Sequence, residues 1–239
     1  MRVLGFDTAT LNCSVALIDD ERLISVYSLN SYRSHSQRLL SSIHGILAQA
    51  GFTLEDLSAV AVAMGPGSFT GLRIGLSTAK GLAFAMGKPM VGVQTLDAAA
   101  SSLAPTDRLL CPVIDARKGQ VYTALYRYRD ACQLQKLTPD MALYPQDLCE
   151  LIREPVIFVG NGIEAYGPLW KERLKGLAHF VSFSSHAPWA AAVARLGLER
   201  LRRGEADDPH TIIPFYIRPS EAELQRKGSR ISVPQSGCL

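Results

Sequence analysis

The first fifty residues show two different spacings of apolar side chains. Apolar runs flank the polar turn 7–12, which predicts a β-hairpin, and a third strand is predicted near residues 23–29. Residues 34–50 instead place leucine, isoleucine and alanine at helical spacing, and this segment ends at Gly51, a residue type that commonly terminates helices. The pattern therefore predicts three strands followed by a helix.

The next segment alternates strands with helices. Short apolar runs predict strands at 57–64 and 89–93, and a glycine-rich turn at 65–69 separates the first of them from a helix that stops at Gly87. A further short helix is predicted at 96–103. Strands and helices in this order are typical of an α/β fold.

A second strand–turn–strand unit begins at Pro112, carries Asp115 at its turn and continues as a predicted strand over 121–126. The same number of positions separates Asp7 from Asp115 and Leu17 from Leu125. Because the two units keep one register, the sequence indicates an ancient duplication.

The remainder of the second half again pairs strands with helices. A strand is predicted at 156–159, a turn at 160–162, a helix from Ile163 and an amphipathic helix at 189–203. We therefore expect two α/β halves, 1–104 and 105–224, with the last helix packing back on the first half. Residues 225–239 are polar and rich in glycine, proline and serine, which predicts a disordered tail.

The composition is that of an ordinary globular protein. Hydrophobic residues make up 47% and charged residues 20% of the 239 positions, and the net charge of +3 neither demands nor excludes nucleic acid. No apolar run approaches the roughly 20 residues of a membrane-spanning helix, and no secretory signal precedes Asp7. We expect a cytoplasmic protein without membrane contact. The five scattered cysteines predict buried, reduced thiols.

The two hairpin turns suggest a nucleotide cleft. Actin-like and sugar-kinase-like ATPases hold phosphate and its magnesium at an aspartate on such a turn, where short side chains let backbone N–H groups approach the phosphates. The first turn fits this pattern, whereas Ala-Arg-Lys after the second aspartate fits it less well. The residues are compatible with two interpretations, a functional nucleotide site or an inherited, degenerate cleft. We therefore expect that no cofactor is required and that the cleft is compatible with ATP or ADP. The candidate residues are Asp7, Thr8, Thr10, Asp115, Gly160 and Gly162.

Three glycines interrupt the predicted helix after residue 69. Gly71, Gly75 and Gly81 each cost about 1 kcal/mol relative to alanine, so their presence needs a reason. Gly71, Gly75 and Thr78 fall on one helical face, which allows close approach either of the protein's own sheet or of a helix from another chain. The spacing fits neither a P-loop nor a dinucleotide-binding motif. The histidines show no metal-ligand spacing, and no catalytic set is visible.

Four sequence blocks together resemble one protein family. They are Leu-Gly-Phe-Asp-Thr-Ala-Thr at 4–10, Gly-Pro-Gly-Ser-Phe-Thr-Gly-Leu-Arg-Ile-Gly at 65–75, Asp-Ala-Arg-Lys-Gly-Gln-Val-Tyr at 115–122, and Pro-Phe-Tyr-Ile-Arg at 214–218 followed by Glu221 and Ala222. This combination is similar to the TsaB family of bacterial tRNA threonylcarbamoyladenosine biosynthesis proteins, over about residues 1–223. The resemblance implies an actin/Hsp70-like fold and a role beside TsaD, a catalytic paralogue that modifies A37 of tRNA.

The resemblance also implies partners. TsaB-like chains form homodimers, or heterodimers with TsaD, through their first two helices, and a TsaE ATPase joins that pair. Contact with tRNA is then expected only indirectly, through the complex. On this basis the helix with three glycines is expected to form an intermolecular interface. The predicted interface residues are His35, Leu39, Ile43, Leu47, Gly71, Leu72, Ile74, Gly75, Thr78 and Leu82.

One departure from the catalytic paralogue bears on activity. In the paralogue a metal-binding His-x-x-x-His follows a Gly-Val-Asn after the equivalent helix, whereas here Gly-Val-Gln at 92–94 is followed by Thr95 and Ala99 in place of the two histidines. Neither residue is a credible ligand for iron or zinc. The resemblance therefore implies a non-catalytic scaffold. The main rival is a stand-alone small-molecule kinase or ATPase that uses Asp7 and Asp115, and a protease ranks well below it.

Overall fold

The computed structural model describes residues 1–30, 35–129, 133–181 and 188–218. The predicted tail 225–239, the family-like pair Glu221 and Ala222, and two of the cysteines (Cys132 and Cys238) lie outside these residues. The other three cysteines are buried and free, as predicted. None of the helices in the described ranges is long and apolar enough to span a bilayer.

The first half is a five-stranded sheet with helices on it. Its strand order is β3-β2-β1-β4-β5, in which β1, β4 and β5 are parallel and β2 and β3 are antiparallel additions. The predicted order of strands and helices is confirmed here. The elements are β1 (Arg2–Asp7), β2 (Asn12–Asp19), β3 (Arg22–Asn30), α1 (His35–Ala50), β4 (Ala59–Gly65), α2 (Phe69–Met86), β5 (Met90–Gln94) and α3 (Thr95–Ser101).

The second half is built around a seven-stranded sheet. Five strands run in the order β10-β7-β6-β11-β12, and β8 and β9 extend from β6 beside this path. The elements are β6 (Leu109–Asp115), β7 (Val121–Thr123), β8 (Tyr126–Tyr128), β9 (Leu134–Lys136), β10 (Met141–Leu143), α4 (Pro145–Leu151), β11 (Val156–Val159), α5 (Gly162–Arg173), β12 (Ala178–Phe180) and α6 (Trp189–Arg202).

The continuous strand predicted at 121–126 is wrong. Strand β7 ends at Thr123, and β8 begins at Tyr126 and pairs with another part of β6. Between them the N–H of Leu125 donates to the Thr138 hydroxyl at 2.9 Å, and the Leu125 carbonyl accepts the N–H of Leu137 at 2.7 Å. These contacts replace the ladder that an uninterrupted strand would make.

The two halves repeat one topology. The order β1-β2-β3-α1-β4-α2-β5-α3 has its counterpart in β6-β7-β10-α4-β11-α5-β12-α6. The hairpin turns also match, because Asp7 Oδ1 accepts the N–H of Ala9 at 2.8 Å and Asp115 Oδ1 accepts the N–H of Arg117 at 2.9 Å. The repeated order and the repeated turn agree with the duplication inferred from the sequence.

Each face of the first sheet is covered by helices. Helices α1 and α2 pack on one face, with Leu39, Ile43 and Leu76 in a shared apolar cluster. Helix α6, from the second half of the sequence, packs on the other face, where Val193 and Leu198 are buried. Buried apolar surface of this kind is the main source of stability.

Candidate functional site

Asp7 lies at the carboxyl end of β1, where an actin-like or sugar-kinase-like cleft would hold phosphate and magnesium. Asp7 is only 2% exposed to solvent. Burial raises the pKa of Asp7 to about 6, and the N–H of Ala9 opposes this rise only in part. The carboxyl group is therefore held in the protein interior and titrates near pH 6.

The rest of the first turn is bound to neighbouring elements of the same chain. The Thr8 hydroxyl donates to the Gly71 carbonyl at 2.8 Å, and the Ala9 carbonyl accepts the N–H of Ser68 at 2.7 Å. His35 Nε2 donates to the Thr10 carbonyl at 2.8 Å. A bound phosphate would need hydrogen-bond donors, and in this turn the Thr8 hydroxyl donates to Gly71 and the Ala9 N–H donates to Asp7 Oδ1. These internal bonds favour the degenerate reading of this half of the cleft.

The glycine face of α2 lies against this turn. A Cβ at Gly71 would lie 2.0 Å from the Thr8 carbonyl oxygen, and one at Gly75 would lie 2.4 Å from Thr8 Oγ1. Both glycines are buried, so their missing side chains are explained by close approach within the chain. The expectation that Gly71 and Gly75 face another molecule is therefore corrected to packing on the chain's own first turn.

The second turn is more open. Arg117 and Lys118 adopt positive φ angles of 60° and 53° at its tip. Arg117 Nη1 lies 3.6 Å from Asp115 Oδ2, and the N–H of Asp115 donates to Asn161 Oδ1 at 3.1 Å.

Gly160 and Gly162 lie beside β6. Gly160 has a φ of +119°, and a Cβ there would lie 2.2 Å from the Val113 carbonyl oxygen; at Gly162 the same oxygen would be 3.2 Å away. The turn thus needs small residues to pack on β6, and Asn161 between them connects it to Asp115. The structure brings these two glycines to Asp115, and a role toward adenosine stays a prediction.

Most of the predicted interface residues belong to the core of the chain itself. They are apolar and pack α1 and α2 on the first sheet, which is why they follow a helical stripe. The buried members are Leu39, Ile43, Leu47, Gly71, Leu72 and Gly75. The partly exposed members are His35, Ile74, Thr78 and Leu82.

The interface residues predicted from the sequence do not include the most exposed apolar side chains of the two helices. Phe84 on α2 is 80% exposed and Leu40 on α1 is 58% exposed. Gly45 on α1 and Gly81 on α2 have nothing within 4 Å of the position of a Cβ. Their position on the helices could have identified them. They lie off the apolar stripe that marks the core face, so their apolar or small character serves no packing within the chain.

Helix α3 has an apolar, buried environment where the catalytic paralogue is expected to hold metal. Thr95 and Ala99 are both fully buried, and Ala99 packs with Leu110 and Tyr126 of the second half. On the exposed side of α3, Asp97 accepts the Tyr126 hydroxyl at 2.6 Å. In the described part of the chain, no three His, Cys, Asp or Glu residues are grouped as metal ligands.

Two sheets of one repeated topology, each with an aspartate at its first hairpin, define a protein of the actin/Hsp70/sugar-kinase-like ATPase fold. The (R)-2-hydroxyglutaryl-CoA dehydratase component A of Acidaminococcus fermentans has this architecture. It superposes with a TM-score of 0.52 at 12% identity, covering 84% of this chain and 99% of that chain. Identity this low shows the fold alone.

Other proteins are more similar to this chain in sequence and in structure. YeaZ from Pseudomonas aeruginosa superposes with a TM-score of 0.75 at 28% identity, covering 90% of this chain and 99% of that one. The tRNA threonylcarbamoyladenosine biosynthesis protein TsaB of Bacillus subtilis (strain 168) is 34% identical over 228 residues, or 94% of this chain and 97% of that protein. TsaB of Escherichia coli (strain K12) is 38% identical over 178 residues, covering 72% and 76%.

A family model described as "TsaD: tRNA N6-adenosine threonylcarbamoyltransferase" also matches residues 28–226. The chain belongs to the TsaB family of tRNA threonylcarbamoyladenosine biosynthesis proteins, within the wider group that includes TsaD.

Proposed function

We propose that this chain is a non-catalytic subunit that binds and activates the catalytic paralogue TsaD in tRNA threonylcarbamoyladenosine synthesis. The observation that carries the proposal is the exposed face of α1 and α2. Gly81 costs stability in mid-helix without any internal packing need, and Phe84 beside it is 80% exposed. A small residue next to a large apolar one suits a helix from another chain.

The non-catalytic part of the proposal rests on α3 and the first turn. Thr95 and Ala99 are buried, Ala99 in an apolar cluster, and neither supplies an imidazole or carboxylate ligand. The Thr8 hydroxyl and the N–H and carbonyl groups of Ala9 are bonded within the chain. The chemistry would therefore take place on the paralogue, and this chain would supply a surface that stabilises its active arrangement.

The same surface would serve more than one assembly. In the absence of the paralogue, two copies of this chain would pair through α1 and α2, because both copies present the same small and apolar face. The TsaE ATPase would bind to the heterodimer, and tRNA would be held through the complex. Any ATP or ADP in the cleft of this chain would be dispensable for its scaffold role.

Reconstitution tests the proposal directly. The product, threonylcarbamoyladenosine on tRNA, is measured with the threonylcarbamoyl-AMP synthase, TsaD and TsaE, with and without this chain. We expect product only when the chain is added, and none from the chain with the synthase alone. Equal product without the chain would remove the activating role. Phosphoryl transfer by the isolated chain that disappears in Asp7→Ala would instead support the kinase alternative.

A further inference from the structure

The chain returns to the first half after α6. The N–H of Asp207 donates to the Met90 carbonyl at 2.9 Å, and Asp207 Oδ2 accepts the N–H of Gly92 at 2.8 Å. Arg200 Nη1 also donates to Asp207 Oδ2, at 3.0 Å. These bonds attach the chain to β5, an edge strand of the first sheet. From this point residues 212–218, which we term the strap, continue across the surface.

The beginning of the strap is fixed in the core. Ile212 is buried in the apolar cluster beneath α1 and α2. Further along, the N–H of Phe215 donates to the Met64 carbonyl at 2.7 Å. The Phe215 carbonyl oxygen lies only 2.1 Å from the position of a Cβ on Gly65, whose φ is +131°. Only glycine at position 65 allows this close backbone contact.

The end of the strap joins α2 to the second half. The Tyr216 ring stacks on Phe69 with centroids 4.8 Å apart, and its hydroxyl accepts Arg73 Nε at 3.1 Å. Arg218 Nη1 then donates to Gln120 Oε1 at 2.6 Å, on the second hairpin. The strap is therefore held at both ends and in its middle, although it contains no regular secondary structure.

The strap lies alongside α2. Just before the strap, the pKa of Asp208 is lowered mainly by the N–H of His210 and by the Thr211 hydroxyl, and least by the charge of Lys80 on α2. At its other end Tyr216 contacts Phe69 and Arg73, in the first two turns of α2. The chain thus runs beside the helix in the opposite direction.

Ile213 is the exception in this well-held segment. It is 72% exposed, although Ile212 before it is buried. In the described part of the chain, the three most exposed large apolar side chains are Phe84, Ile213 and Leu40, on α2, the strap and α1. These side chains therefore belong to segments that contact one another, α1 with α2 and α2 with the strap.

The charges on helix α2 have one sign. It carries Arg73 and Lys80 and contains no aspartate or glutamate, and α1 also contains no acidic residue. A complementary partner would present apolar side chains at its centre and acidic side chains around them.

We propose that Ile213 is an anchor of the partner surface, and that the strap and the exposed face of α1 and α2 together bind an apolar patch with an acidic rim on TsaD. This inference rests on the proposed function, since it adds a segment to the same interface. The fixed neighbours of Ile213 hold its side chain outward before binding, so little freedom is lost when the partner covers it. Large side chains in such positions commonly dominate binding.

Affinity measurements on full-length variants test the proposal. The dissociation constant for purified TsaD is determined by calorimetry for wild type, Ile213→Ser, Ile213→Val and Phe84→Ser. The matched control is Leu151→Ser, an exposed leucine on α4 in the second half. We expect Ile213→Ser to weaken binding by about tenfold or more, with little change for Ile213→Val and Leu151→Ser. Added salt should weaken binding of the wild type, as expected for a basic face on an acidic rim.

Hydrogen exchange provides a readout that needs no substitution. Amides of residues 211–217 should become protected when TsaD is added to the wild-type chain. If Phe84→Ser weakens binding but Ile213→Ser does not, and the strap gains no protection, then Ile213 is not an anchor of the partner surface. The proposed function would still stand. If wild type does not bind TsaD at all, the proposed function itself fails. If Ile213→Ser changes only thermal stability, Ile213 is covered by its own chain and the proposal is overturned.

Discussion

The side chain of Thr8 lies against α2, with its hydroxyl 2.8 Å from the Gly71 carbonyl oxygen. Two glycines one helical turn apart make room for it, since a Cβ on either would overlap an oxygen of Thr8. The third glycine of α2, Gly81, is exposed and has open space around it. The three helical glycines therefore have different origins: two serve packing within the chain, and one has no internal use.

This difference predicts that substitution by alanine at Gly75 and at Gly81 changes the free energy of unfolding in opposite directions. Gly75→Ala should lower the free energy of unfolding by about 1–3 kcal/mol, because the added methyl overlaps Thr8 Oγ1 in a packed interior. Gly81→Ala should raise it by about 0.5–1 kcal/mol, because alanine has the higher helix propensity and meets no neighbour. Urea unfolding of both variants measures the two changes. Equal effects would mean that the close contact at Thr8 is absent in solution.

Asp7 gives a pH dependence with a definite sign. Folding raises its pKa from 3.8 to about 6, so the folded state binds the proton more tightly than the unfolded state. The resulting stabilisation is fully present below pH 3.8 and is lost as the pH rises through about 6. Asp7→Asn keeps an acceptor for the N–H of Ala9 but removes the buried charge. Its free energy of unfolding at pH 7 should exceed that of wild type by about 1–3 kcal/mol. Urea titrations at pH 4 and pH 7 should show this advantage shrinking at the lower pH; an advantage equal at both would contradict the buried carboxylate.

The helices show what apolar spacing can and cannot predict. Helix α2 ends at Met86, before the left-handed Gly87, as the sequence indicated. The break between β7 and β8 was missed because it depends on Thr138, a tertiary partner without any local signal. The contact of Thr8 with Gly71 joins residues 63 positions apart and was missed for the same reason. Spacing located the stripe that contains Leu39, but it did not distinguish that core face from an interface.

The exposed face of α2 carries a prediction of its own. Gly81→Leu should leave the monomer folded, because nothing lies within 4 Å of a Cβ at this position. It should weaken both the homodimer and the complex with TsaD, since a large side chain would hold the partner helix away. Sedimentation velocity measures both assemblies. The control is Leu151→Ser, an exposed position on α4. Gly119→Leu is unsuitable as a control because Gly119 has a positive φ. Unchanged assembly of Gly81→Leu would place the partner on another surface.

The molecule as a whole is joined by elements that cross between its halves. Helix α6 covers one face of the first sheet, α3 packs on β6, and the strap ends on the second hairpin. The boundary near residue 104 remains a prediction, because a division of the chain in sequence does not coincide with a division of the core. The first half would lack one of its two helical layers without residues 189–202.

This shared core predicts that residues 1–104 do not fold alone. Without α6, the face of the first sheet that contains Val3, Ala61 and Val91 would meet water, and that apolar surface is needed to offset chain entropy. We expect the fragment 1–104 to show no cooperative thermal transition by near-ultraviolet circular dichroism. Co-expression with 105–239 should restore a transition, because α6 can then cover the sheet in trans. A cooperative transition of the fragment alone would mean that α1, α2 and the sheet form a self-sufficient core, and that α6 is an addition to it.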